Sequence, residues 1–110
     1  MEPATVTLRE LKIKAGVVKR TSKEYHAYMK ESTTQQARID ALIARSADDA
    51  DIRKQREVLE ETTQMLPDTK RRLMVAHGEL ACALEILKDD QNEEILAAHQ
   101  ILKEAVALID

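Results

Sequence analysis

Residues 64 to 73 read Gln64-Met-Leu-Pro-Asp-Thr-Lys-Arg-Arg-Leu73, and whether Pro67 ends a helix or only bends one decides the fold. Proline lacks the N–H that would bond the fourth residue back, and its ring crowds that carbonyl, at a cost of about 3 kcal/mol in a helix interior. The surrounding pattern nevertheless continues. Ile52, Leu59, Leu66, Leu73, Leu80 and Leu87 stand at every seventh residue, with no change of phase across Pro67. The neighbours Met65, Leu66, Asp68 and Thr69 include no glycine or asparagine with which to turn the chain. The segment therefore reads as one long helix, kinked at Pro67, with the Thr63 carbonyl released and the axis tilted away from the proline.

Composition points the same way. The 110 residues include two glycines, two prolines and no Trp or Phe, while Ala, Leu, Glu, Lys, Arg and Gln dominate. That is the makeup of long helices. The length suits a single domain at 1–110 with a core of moderate size and no deep substrate chamber. No apolar run of about 18 residues spans a membrane. Met1-Glu-Pro-Ala lacks the basic start and apolar stretch of a signal peptide, so a cytosolic location is expected. Cys82 has no partner for an internal disulfide and is expected as a small buried filler.

Working outward, helix 1 is expected over about 7–45, starting at the capping box Thr7-Leu-Arg-Glu10. Its seam combines Leu11, Val18, Tyr25, Ser32 and Ile39 with Ala15, Ser22, Met29, Gln36 and Ile43. Polar residues interrupt it at Ser22, Ser32 and Gln36, where hydrogen bonds can fix register. They can satisfy one another within the chain or mark a contact between two copies, so monomer and homodimer both stand. Ser46-Ala-Asp-Asp-Ala-Asp51 carries turn and cap chemistry. Helix 2 follows over about 49–88, its leucine series joined by Gln55, Thr62, Thr69, Ala76 and Ala83. After a second turn, with Asp90 and Glu93 at capping-box spacing, helix 3 is expected over about 91–110 on Ile95, Ala98, Leu102, Ala105 and Ile109. Short connections favour antiparallel neighbours, so the fold is all-α: an elongated up-down-up three-helix bundle with left-handed, coiled-coil-like packing. At about 1.5 Å rise per residue the long helices run on the order of 57 Å, and the shorter third helix leaves part of that length without a third partner.

Three stretches resemble the tubulin-folding cofactor A family, also called tubulin-specific chaperone A. Leu11-Lys-Ile-Lys-Ala-Gly-Val-Val-Lys-Arg20 is similar to the family's IKIKTGVVKR, with leucine for isoleucine and alanine for threonine. Asp51-Ile-Arg-Lys-Gln-Arg-Glu-Val-Leu-Glu-Glu61 resembles its DIKKQxxVLxES, ending in Glu-Thr here. Met65-Leu-Pro-Asp-Thr-Lys-Arg-Arg-Leu73 resembles MIPDCxxRL, with threonine where many members have cysteine. The matches fall in family order and include the mid-helix proline; beyond Leu87 the likeness is in length and helical character only. The resemblance implies a protein that binds quasi-native β-tubulin and holds it before assembly with α-tubulin, in the cytoplasm, on the pathway that supplies the microtubule cytoskeleton. It implies other tubulin-folding cofactors as further partners, no catalysis, and no nucleotide or metal. The residues agree independently: there is no glycine-rich phosphate loop, and His26, His77 and His99 lack the close pairing of a zinc site on one helix.

Charge supplies the candidate contacts. The net charge is −3, but residues 9–30 hold seven Lys/Arg against two Glu, a local +5. Lys12, Lys19, Lys23 and Lys30 follow a 4-3-4-3-4 rhythm once Gly16 and His26 are counted between them, expected on the side away from the seam, with Arg20 beside them. Such a stripe either solubilises a face or steers an acidic partner, and β-tubulin is acidic. Lys70, Arg71 and Arg72 form a basic triplet beside Asp68, which is placed to pair with Arg72 at i,i+4. Tyr25 is expected in the seam and Tyr28 at its edge. Without the resemblance the chain would read as an autonomous coiled-coil scaffold, which the short turns oppose. Nucleic acid is not expected as a partner, because most of the chain is acidic and stacking aromatics are nearly absent.

Overall fold

The computed structural model describes residues 6–87 and 92–109. These form three helices: α1 Leu8–Ala44, α2 Asp49–Ile86 and α3 Glu93–Ile109. The molecule is a rod of 66 × 27 × 21 Å. As residue numbers rise along α1 they fall along the facing α2: Lys14 meets Glu79, Glu24 meets Arg72 and Gln35 meets Gln55. The two helices are therefore antiparallel. α3, 17 residues against 37 and 38, packs beside the N-terminal part of α1 and the C-terminal part of α2.

Local chemistry accounts for the ends. The capping box is made: Thr7 Oγ1 accepts from the Glu10 N–H at 3.1 Å, and Glu10 Oε2 accepts from the Thr7 N–H at 3.1 Å. α1 ends with Ser46 in the left-handed region, φ 57°. The Ala47 N–H bonds the Leu42 carbonyl at 3.0 Å and the Ser46 N–H bonds that of Ile43 at 3.1 Å, the paired closure of a Schellman motif with serine where glycine is usual. Asp49 and Asp51 then sit in the first turn of α2, at the positive end of its dipole. At α3 the Asn92 side chain accepts from the Glu94 N–H at 2.8 Å. The expected Asp90–Glu93 pair involves a position outside the described residues.

α2 passes through Pro67 without a break, and its seam holds phase on both sides. Leu73, Ala76, Leu80, Ala83 and Leu84 join Leu11, Ala15, Val18, Tyr25, Ile95, Ala98 and Ala105 in one core, where three helices meet. Farther along, α2 contributes only Thr62 and Thr69 to the buried set, and each donates its hydroxyl to the carbonyl four residues back. That local bond is how a helix buries threonine without an orphaned donor.

Three expectations are corrected. The second seam series of α1 holds at Ala15 but leaves the interface by Gln36 and Ile43, which are exposed; Thr21 and Gln35 are buried in their place. α3 reaches only part of α1, so farther along α2 is the sole neighbour and the side once turned toward α3 lies open. The polar residue that ties the helices is Gln35, 3% exposed, whose amide donates to the Gln55 carbonyl at 3.0 Å and to Gln55 Oε1 at 2.8 Å. Gln36 instead bonds along its own helix to Asp40, and the Ser22 and Ser32 hydroxyls have no hydrogen-bond partner among the described residues. Finally, Cys82 is exposed. It stands nine residues beyond Leu73, and at 100° per residue that points it away from the core. Tyr25 is buried and Tyr28 half-buried at the seam's edge, as expected.

Candidate partner-binding surface

Lys12, Lys19, Lys23 and Lys30 are exposed, and at 100° per residue they fall within an arc of about 40° on α1. The arc lies beside α3 rather than opposite the core, which corrects the expected placement: Lys19 and Lys23 line the α1–α3 cleft. Among the described residues none of the four lysines has an ion-pair partner. Arg20 points elsewhere on α1, with its Nη1 3.2 Å from where a Cβ on Gly16 would stand. The missing side chain is what admits the guanidinium there.

The triplet after Pro67 does not act as one patch, because successive helical residues diverge by 100°. Lys70 is half-buried and Arg71 exposed, while Arg72 crosses to α1. Its Nη2 donates to Glu24 Oε1 at 3.0 Å and its Nη1 to Glu24 Oε2 at 3.3 Å. Asp68 Oδ2 lies 3.4 Å from Arg72 Nε, the i,i+4 pair expected from sequence, and Asp68 Oδ1 lies 3.6 Å from Arg71. The two-point bond from Arg72 holds the Glu24 carboxyl below its ordinary range; desolvation opposes this and the Tyr28 hydroxyl assists it. The same bond raises Arg72.

The cleft between α1 and α3 has a volume of about 550 Å³. Ser22 and His26 line it from α1; Ala97, Ile101 and Leu108 bring apolar surface from α3, with Gln100 and Glu104 also on its wall. Sequence reading assigned no partner contact to α3. The signal was available as the spacing of Ala97, Ile101, Glu104 and Leu108, a 4-3-4 stripe beside the seam. Two adjoining grooves lie between α1 and α2: one, walled by Val6, Val75 and Ile86, holds Lys14 and Glu79, 3.9 Å apart; the other, walled by Val17, Val75 and Ala76, holds Arg72 and Arg71, which pair with Glu24 and Asp68. Among the described residues no group of His, Cys, Asp and Glu is placed to hold a metal ion, and no helix is long and apolar enough to cross a membrane.

The model of the family described as Tubulin binding cofactor A matches residues 6–102. Tubulin-specific chaperone A of Gallus gallus is 44% identical over 97 residues, covering 87% of this chain and 90% of the relative. The crystal structure of tubulin folding cofactor A from Arabidopsis thaliana superposes with a TM-score of 0.86 at 32% identity, covering 91% of this chain and 95% of that one. The structure of human tubulin chaperone cofactor A gives 0.80 at 39% identity, over 90% and 97%. Family model, sequence relatives and superposed helices agree over most of the length, and the chain belongs to the tubulin binding cofactor A family.

Proposed function

We propose that this protein binds quasi-native β-tubulin and holds it until it assembles with α-tubulin, without catalysing a reaction and without a nucleotide or metal. It works with other tubulin-folding cofactors in the cytoplasm. Family membership supports tubulin as the partner, and the single observation that carries the mode of binding is the exposed lysine line on α1, which has no ion-pair partner among the described residues. Unpaired exposed cations raise the encounter rate with an acidic protein and orient it, while adding less to the final affinity. Lys12, Lys19, Lys23 and Lys30 supply that attraction, and Arg20, Lys70 and Arg71 add cations on other faces of the rod. Asp68 and Arg72 serve chiefly to brace α2 against α1.

The finer geometry belongs to the same proposal. The helices pack with a left-handed twist, and α2 bends at Pro67. The proline follows Leu66, which packs against the three-helix core. The bend then sets the direction of the two-helix end relative to the three-helix end.

The test is direct. Purified protein is expected to retain β-tubulin in a binding assay and to leave GTP and ATP intact; failure to retain it, or hydrolysis by the protein alone, overturns the proposal. Changing Lys12, Lys19 and Lys23 together to glutamine is expected to slow association and flatten its dependence on salt, with helicity unchanged. An on-rate identical to wild type at every salt concentration returns those lysines to a solubilising role.

A further inference from the structure

We propose that the α1–α3 cleft is a docking groove for an acidic amphipathic segment of the client, whose apolar side chains enter over Ile101 and Leu108 while its carboxylates meet Lys19 and Lys23. The inference rests on the tubulin-holding function proposed above and adds where, and by what chemistry, the client is gripped.

Two features of the cleft point to such an occupant. Small residues, Ser22 and Ala97, stand where larger ones would close it, so the space between α1 and α3 stays open. Its wall is apolar and its edge is cationic: lysine stems cover apolar surface while their ammonium groups stay in water. Glu104, the carboxylate on the opposite wall, accepts from the Gln100 amide at 3.1 Å on its own helix, and among the described residues neither Lys19 nor Lys23 has an ion-pair partner.

Length and chemistry select a peptide. Lys12 and Lys30 are 18 residues apart, on the order of 27 Å along α1, longer than a small-molecule ligand needs. A segment with acids on one side and Leu, Ile or Met on the other matches both the line and the wall. Nucleic acid would meet the same cations, but the cleft holds no Trp, Tyr or Phe and offers His26 as its one ring on which a base could stack, while its apolar wall of Ile101 and Leu108 suits aliphatic side chains. The two grooves between α1 and α2 are apolar too, but in each the basic residues stand beside carboxylates, Lys14 by Glu79 and Arg71 and Arg72 by Asp68, so neither presents one sign of charge.

The test uses the full chain and β-tubulin. Ala97 is exposed, so Ala97→Phe fills the cleft without removing a core contact. It is expected to lower β-tubulin affinity about tenfold with an unchanged melting temperature. Charge reversal, Lys19→Glu with Lys23→Glu, is expected to lower it at least as much and to remove most of its salt dependence. A photo-reactive residue at Gln100 should crosslink to a stretch of β-tubulin rich in acids and aliphatics. A folded Ala97→Phe protein with wild-type affinity, or a crosslink to a neutral or basic stretch, overturns the cleft while leaving the holding function intact. Wild-type protein that fails to retain β-tubulin overturns both. If Ala97→Phe melts early, Gln100→Trp fills the same space from another exposed position and is read in the same way.

Discussion

Ser46 carries the α1–α2 turn in a backbone conformation that costs an L-residue about 1–2 kcal/mol, because its Cβ approaches the following carbonyl. Glycine has no such contact, though it loses more freedom on folding. Ser46→Gly is therefore expected to stabilise the protein by about 1 kcal/mol, seen as a melting temperature several degrees higher; an unchanged or lower value would mean that the serine hydroxyl compensates. Glu24 is the other residue with a testable signature. Its folded pKa is depressed by Arg72, so its contribution is present above its unfolded value and is lost as pH falls through the lowered folded one. Glu24→Gln should lower the melting temperature at neutral pH, and the gap to wild type should close as pH falls below the ordinary carboxylate range. A gap of constant size from pH 7 to pH 3 would remove charge from the explanation. The bond itself lay beyond sequence reading. Arg72 was legible as part of a basic triplet and as a partner for Asp68, four residues away; Glu24 is 48 positions distant and is brought near only by the packing of α1 on α2.

At the scale of the element, α2 is the informative helix. Its heptads run through Pro67, which is exposed and so crowds no neighbour. Pro67→Ala restores the missing N–H and offers a better helix former, so stability should rise, by at most about 3 kcal/mol. The proposed bend predicts a second effect in the same sample: straightening α2 re-aims Lys70 and Arg71 and weakens β-tubulin binding. Melting temperature and affinity measured together decide the matter, since a stabilised variant with wild-type affinity would assign the proline to the fold alone. The seam of α2 was legible because Thr62, Thr69, Ala76 and Ala83 keep their place beside the leucines throughout. In α1 the series Leu11, Val18, Tyr25 and Ile39 keeps to the buried side, with Ser32 half-buried, and the series beside it was legible only near its start. There the series through Ala15 faces the core, but toward the hairpin Gln35 and Leu42 replace Gln36 and Ile43. Toward the hairpin α3 is no longer a neighbour, so the side of α1 that faced it lies open and the residues turned to α2 alone stay covered.

For the whole molecule, unequal helix lengths divide the rod into a three-helix part with an aliphatic core and a two-helix part whose buried residues are chiefly Gln35, Ile39 and Thr62. Apolar burial stabilises by about 25 cal/mol per Å², so the two-helix part should open first. Amide exchange is expected to be at least about tenfold faster for the interior amides of 33–43 and 52–62 than for those of 11–25 and 73–84. Uniform protection along α2 would show one cooperative unit. Three helices, and the buried faces of α2 and α3, were legible in the residues because capping, turn chemistry and periodicity act over a few positions; the family resemblance was legible in the stretches 11–20, 51–61 and 65–73. Only the tertiary structure decided that Gln35 ties the helices, that Cys82 faces water and that the lysine line borders a cleft. Each depends on the direction from which α3 approaches and how far along α1 it reaches, and no local repeat encodes either.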